Sequence, residues 1–232
     1  MNIEQFESII ENNPTIFKMV KYCPYEILRH WEYVKYLNGD IVCHQGQQYD
    51  CFYIIHKGRA DIYFMSETGK KYSQAIYQPG DYIGELEIFD RRPYSCYVKA
   101  LTDLYLIKIQ RDYFMQWLEL DRNFSINLVQ SLCNHFYRLS QKAGEDALYT
   151  LKNRVCNYLL SYGNSREMND AAPKKIVLER EKLSDRFGVT PRSINRILMY
   201  LRKKGIIEIA ANVIVIKNKA GLISEGKSDW NE

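Results

Sequence analysis

The chain has 232 residues, enough for one large domain or two small ones, and its 46% hydrophobic and 26% charged residues allow a buried core. No run of about 18 apolar residues exists and the start, Met1-Asn2-Ile3-Glu4, lacks a basic-then-apolar leader, so neither a membrane span nor a signal peptide is expected and the cytoplasm is the default compartment. The net charge of +4 is uneven: residues 174–219 hold twelve Lys/Arg against four Asp/Glu, which suits either a polyanion partner for that stretch or a solvated basic surface.

Residues 1–22 read as helix followed by irregular chain, with Pro14 as a breaker. From about 33 to 110 the texture is that of strands. Asp50-Cys51-Phe52-Tyr53-Ile54-Ile55-His56 is a buried strand, Lys57-Gly58-Arg59 turns it into Ala60–Phe64, and Glu67-Thr68-Gly69-Lys70 turns again into Tyr72–Tyr77. Pro79-Gly80 puts Pro at the second and Gly at the third position of a type II turn. Short strands with turn signals every 8–12 residues predict a barrel or jelly roll.

The texture changes near Asp112. Residues 112–147 contain no Pro and one Gly, and Phe124, Leu128, Leu132, Phe136, Leu139 and Ala143 recur at steps of four and three. One long amphipathic helix is predicted. Its apolar face exceeds what a single small sheet needs, so a partner helix from a second copy is expected. Gly144-Glu145-Asp146 suits a hinge, with the segment Gly144–Thr150 as its extent, and Thr150 suits the N-cap of a further helix, Leu151–Leu160. The polar stretch Ser161–Lys175, with Gly163 and Pro173, reads as a loop. Residues 217–232 read as a loose polar tail.

The segment 179–205 carries the clearest signal. Leu183 and Phe187 give a short helix one buried face, and Gly188 ends it in the left-handed conformation a tight turn needs. Thr190 caps a second helix with Pro191 at its first position. Ile194, Ile197, Leu198 and Leu201 form the inner face, while Arg192, Ser193, Asn195, Arg196 and Lys203 project outward. Arginine offers guanine a bidentate pair and asparagine offers one to adenine, while Thr190 and Ser193 suit phosphate contacts. Two short β-branched strands follow, Ile206–Ile209 and Val213–Ile216, around Asn212: a wing. This is a winged helix-turn-helix that reads DNA.

Taken together, the two halves resemble the Crp/Fnr superfamily of transcription factors over about residues 20 to 216. Gly80-Asp81-Tyr82-Ile83-Gly84-Glu85-Leu86, then Pro93-Tyr94-Ser95, and the 179–205 segment carry the likeness. The resemblance implies an allosteric homodimer on a two-fold symmetric operator, with RNA polymerase as a further partner. It also implies an effector pocket, with Gly84, Glu85 and Leu86 cradling a ligand, Glu85 holding a ribose hydroxyl, Ser95 at the phosphate, and Ser140 approaching from the long helix. Where cyclic-nucleotide binders carry Arg-Ser, this chain has Tyr94-Ser95, and Tyr94 lacks the charged fork a phosphate requires. Arg91 and Arg92 precede Pro93 on an exposed turn. Cyclic AMP or GMP is therefore not the expected ligand; another small molecule, or filling by Tyr94 and neighbouring aromatics, are the readings left. The recognition helix also departs from the usual outer set: Pro191 and Arg192 take its first two places and Arg196 keeps the third, so Arg196 is the leading base contact.

The six cysteines (23, 43, 51, 96, 133 and 156) form no metal-binding spacing, and only Cys23 precedes residue 40, which argues against an iron–sulfur cluster. A haem at one of the four histidines and a thiol switch at Cys43 and Cys51 are not decided by spacing. No metal and no bound cofactor are expected. The overall expectation is an α+β chain with no enzymatic activity. It has a β-roll (double-stranded β-helix, jelly-roll) sensor at 1–111, a long dimerisation helix and hinge at 112–149, a winged helix-turn-helix at 150–218 and a flexible tail at 219–232. The alternatives are a ligand-sensing adaptor acting through protein contacts and a cupin-like metalloenzyme.

Overall fold

A computed structural model describes residues 6, 9–11, 13–164, 175–177, 179–210 and 213–227. Two compact units divide the chain, Met1–His135 and Phe136–Glu232.

The first unit opens with α1 (Pro14–Val20), whose first amides, those of Thr15 and Ile16, donate to the Asn13 side chain, and a single turn α2 (Tyr25–Leu28). Eight strands follow: β1 (Glu32–Tyr36), β2 (Ile41–Cys43), β3 (Cys51–Lys57), β4 (Ala60–Met65), β5 (Lys71–Tyr77), β6 (Tyr82–Ile83), β7 (Tyr97–Ala100) and β8 (Leu104–Gln110). They form two antiparallel sheets, ordered β1-β8-β3-β6 and β2-β7-β4-β5. The expected jelly roll is what forms. The turn at Pro79-Gly80 closes as expected: the Asp81 amide donates to the Gln78 carbonyl at 2.9 Å, and Gly80 has φ +95°.

The reason β3 is apolar without alternation is now evident. Tyr53 and Ile55 point between the two sheets, beside Val98, Leu104 and Leu106. Phe52 and Ile54 point the other way, into a helical layer built on Trp31, Phe114, Trp117 and Phe124. A strand buried on both faces reads as a continuous hydrophobic run. Phe52 stacks on Phe114 at 4.5 Å between ring centroids.

The single helix expected from Asp112 is two helices, α3 (Arg111–Leu120) and α4 (Arg122–Leu148). Asp121 separates them. Its carboxylate accepts from the amides of Asn123 and Phe124, both at 3.0 Å, and from the Trp117 indole at 3.2 Å. It caps the start of α4 while holding the ring of α3 against the core. Phe124 and Leu128 are buried in that core, whereas Ile126, Val129, Phe136 and Leu139 stay exposed. Within the segment Gly144–Thr150 expected as a hinge, Gly144 still lies inside α4 and the helix breaks at Tyr149–Thr150. The division between the two units falls inside α4, after His135.

In the second unit, the Asn153 amide donates to the Thr150 hydroxyl at 3.3 Å, opening α5 (Leu151–Asn164). Most of the predicted loop that follows, 165–174, lies outside the described residues. Next come β9 (Lys175–Val177), α6 (Arg180–Phe187), α7 (Pro191–Lys203), β10 (Ile207–Ala210), β11 (Val213–Ile216) and α8 (Lys219–Glu225). The wing has a third strand that the sequence reading missed: the order is β10-β11-β9, with Ile214 opposite Ile176. Ala211 and Asn212 of the wing turn lie outside the described residues.

The flexible tail expected at 219–232 is corrected over 219–225. Asn218 caps α8 by accepting from the Gly221 amide at 2.8 Å, and Leu222 is fully buried. Glu225 pairs with the buried Lys152 at 3.1 Å and with Lys204. One leucine and one carboxylate hold this helix, too little periodic signal for a seven-residue element to be read from sequence. Residues 228–232 lie outside the described residues.

Candidate effector pocket and nucleic-acid interface

Helix α6 ends on Gly188, which has φ +61°, and the Val189 amide donates back to the Ser184 carbonyl at 3.0 Å. A side chain at 188 would strain this conformation, so the tight turn needs glycine. Thr190 then accepts from the Ser193 amide at 3.3 Å and Pro191 begins α7. Ile194, Ile197, Leu198 and Leu201 are buried in the core of the second unit. Arg192, Asn195, Arg196 and Lys203 are exposed on the opposite face, with Thr190 and Ser193 at its amino-terminal end. The Thr190 and Ser193 hydroxyls are 3.0 Å apart.

Arg180, not singled out from the sequence, belongs to this surface. Its Nε donates to the Asn195 side-chain oxygen at 2.8 Å. That bond orients the Asn195 amide so that its NH₂ group faces away from Arg180. No local pattern announces a bond fifteen residues long; only the packing of α6 against α7 creates it.

In the first unit, Gly84, Glu85, Leu86, Tyr94 and Ser95 line one cavity of about 70 Å³, together with residues that include Gln74, Tyr77 and Glu87. Gly84 has φ +93°, and a Cβ there would collide with the Tyr94 hydroxyl and lie 2.7 Å from the Cys51 carbonyl. Gly84 is thus matched to the tyrosine ring, which is itself 4% exposed. Tyr49 meets that ring edge-on at 5.3 Å. The space left fits a few water-sized groups and is well below the ~300 Å³ at which small-molecule sites begin.

Glu87 makes this cavity acidic, and Glu85 adds a carboxyl that keeps its proton at neutral pH. Glu85 is fully buried, and desolvation, with Glu87 and Asp81 adding to it, raises its carboxyl to about 8. Glu87 is buried too and accepts from the Ser95 amide and hydroxyl, each at 3.2 Å. Ser95 is therefore tied to a carboxylate where the resemblance puts a phosphate. Among the described residues no lysine or arginine lines the cavity. Arg91 and Arg92 sit outside it on the exposed turn, 3.5 Å from Asp50 and 3.2 Å from Asp90 respectively.

From the long helix, the residue near Glu85 is His135, at 3.9 Å, its ring 5.7 Å from that of Tyr77. Ser140 is exposed on α4 and is not among the lining residues. Five residues turn a helix by ~140°, so 135 and 140 do not share a face. Burial pushes the Cys43 thiol up to about 12 and raises that of Cys51 as well, which opposes the thiolate a redox switch needs. Among the described residues no three His, Cys, Asp or Glu side chains gather as a metal site would.

Known proteins carry the same two halves in the same order. A cyclic nucleotide-binding domain matches residues 33–121 and a Crp-like helix-turn-helix domain matches residues 153–225. The chain belongs to the Crp/Fnr family of transcription regulators. It is 25% identical over 191 residues to the cAMP-activated global transcriptional regulator CRP of Salmonella typhimurium, covering 82% of this chain and 91% of that one. The anaerobic regulatory protein of Bacillus subtilis is 26% identical over 178 residues, 75% of each chain. Among solved structures, the c-di-GMP responsive regulator CLP of Xanthomonas campestris superposes with a TM-score of 0.73 at 17% identity, over 88% of this chain and 98% of that one. CooA of Carboxydothermus hydrogenoformans gives 0.70 at 16%, over 87% and 90%. Like other members of the family, this is a DNA-binding transcription regulator with an effector-type domain, and its relatives are regulators, not enzymes.

Proposed function

We propose that this regulator acts as a homodimer in the cytoplasm. Each α7 lies in a major groove of a two-fold symmetric operator, with RNA polymerase as the further partner. The observation that carries the reading is the outer face of α7, where Arg192, Asn195 and Arg196 stand exposed over a fully buried inner face. The exposed apolar residues Val129, Phe136 and Leu139 of α4 supply the dimer contact.

The β-roll is tuned to something other than a cyclic nucleotide. Although relatives are described as cAMP-activated or c-di-GMP responsive, the buried Glu87 carboxylate and the absence of a lining cation among the described residues disfavour a phosphate here. Operator affinity is under the control of a small uncharged or cationic effector, and no cofactor is held permanently. A second reading has its own support: the buried Tyr94 ring lines a cavity of only about 70 Å³, so the roll is self-filled and the dimer binds DNA without any ligand.

The test is binding to duplexes selected from a random pool. A preference of about 10³ or more over scrambled duplex, falling steeply with salt, is expected. A monomer with equal affinity for all duplexes would refute the reading. Addition of cyclic AMP is expected to leave the affinity unchanged; a Tyr94→Ala variant that gains ligand dependence would favour the self-filled roll.

A further inference from the structure

A second cavity, about 430 Å³, lies wholly within the second unit. Its walls come from three helices. Arg138, Lys142 and Tyr149 stand on or just beyond the end of α4, Arg154 and Tyr158 on α5, and Arg186 with Phe187 at the end of α6. Four cationic side chains face two carboxylates, Glu145 and Asp146.

Two observations point to an occupant. The first is Arg154. One end of its guanidinium is paired with Asp146, but its Nε is buried and makes no hydrogen bond. A buried charged donor without an acceptor is costly, and a small turn of the Arg154 side chain toward an oxygen held in the cavity would satisfy it. The second is the set of rings beside the cations. The Arg186 guanidinium lies 4.8 Å from the Tyr158 ring centre, and that of Arg154 lies 5.8 Å from the centre of Phe187. Arginine faces and aromatic faces accept a further flat ring by stacking. The volume falls within the ~300–1,000 Å³ of small-molecule sites.

We propose that this cavity is a ligand site for an organic anion that carries a flat aromatic ring. The anionic oxygens meet Arg138, Arg154 and Arg186, and the ring lies between Tyr149, Tyr158 and Phe187. The site is distinct from the β-roll cavity, whose charge is opposite. It also stays open in a dimer built on the apolar stripe at 132, 136, 139 and 143, because residues 138, 142 and 145 form a separate stripe of α4 about 120° round the helix.

The experiment uses the full chain and 1-naphthyl phosphate as a fluorescent probe, with 1-naphthol and inorganic phosphate as its two halves. Saturable binding of 1-naphthyl phosphate is expected, at least tenfold tighter than either half. Arg138→Gln alone should weaken it about threefold and Arg138→Gln with Arg186→Gln at least tenfold, with unchanged circular dichroism. Arg92→Gln, an exposed arginine of the β-roll turn, should change nothing. Equal binding by the wild type and the double variant overturns the proposal, as does failure of the probe to bind at millimolar concentration. So does an outcome in which the double variant loses duplex affinity while the probe never binds, because those cations then serve the DNA backbone.

Discussion

Arg196 and Glu85 represent two kinds of candidate site residue in this chain. Arg196 stands on the outer face of α7, one turn after Arg192, where a bidentate contact to guanine is within its chemistry. Arg196→Ala is expected to weaken binding to the selected operator by about 1–3 kcal/mol and to relax specificity at one position. Equal loss on cognate and scrambled duplex, measured by fluorescence anisotropy, would make it a phosphate clamp instead. Glu85 works through its surroundings. Its carboxyl is raised to about 8, above the unfolded value of 4.5, so between those values the folded chain holds the proton that the unfolded chain releases. Stability from this group is therefore fully present below about pH 4.5 and lost as pH rises from there to about 8, above which it changes no further, with about 1.4 kcal/mol for each unit of displacement as an upper bound. Glu85→Gln is expected to flatten that alkaline decline in chemical denaturation curves taken from pH 5 to 9; an unchanged slope would mean the carboxyl is solvated. The contrast also explains what was legible. Gly188, Thr190 and Pro191 act on their immediate neighbours, so their roles stand in the order of residues. His135, Arg180 and Glu87 gain theirs from partners eight to fifty residues away, and nothing local marks them.

At the level of elements, short-range periodicity located the strands and the recognition helix, and missed what a single side chain decides. Asp121 splits the long helix because its carboxylate serves two amides and an indole at once. Asp121→Ala is expected to cost about 0.5–2 kcal/mol for the lost cap, with more if the Trp117 indole finds no other acceptor. Tryptophan fluorescence during urea unfolding reads this out, and a change near zero would mean α3 and α4 hold their junction by packing alone. Helix α8 makes the same point at the other end. Leu222→Ala is expected to destabilise the second unit by about 2–4 kcal/mol, as a fully buried leucine should. A loose tail would tolerate the change within about 0.5 kcal/mol.

For the molecule as a whole, the decisive feature is the stripe of α4 that its own chain leaves bare. Phe136 is 72% exposed and Leu139 50% exposed, in a helix whose earlier apolar positions, Phe124 and Leu128, are fully covered. Phe136→Glu is expected to shift sedimentation toward a monomer and to lower operator affinity at least tenfold, because a two-fold operator rewards two tethered helices over one. A variant that remains dimeric would move the contact elsewhere. The residue order alone established a β-roll followed by a helix and a winged reader, since each rests on hydrophobic period, turn residues and caps that act within a few positions. It also established the departure at Tyr94. Tertiary structure decided the rest: that the roll's cavity is small and acidic, that α4 begins at Asp121, that the tail folds back as α8, and that the end of α4 shares a cationic cavity with the reader. Those features depend on which distant side chains meet, and burial then sets their charge and shape.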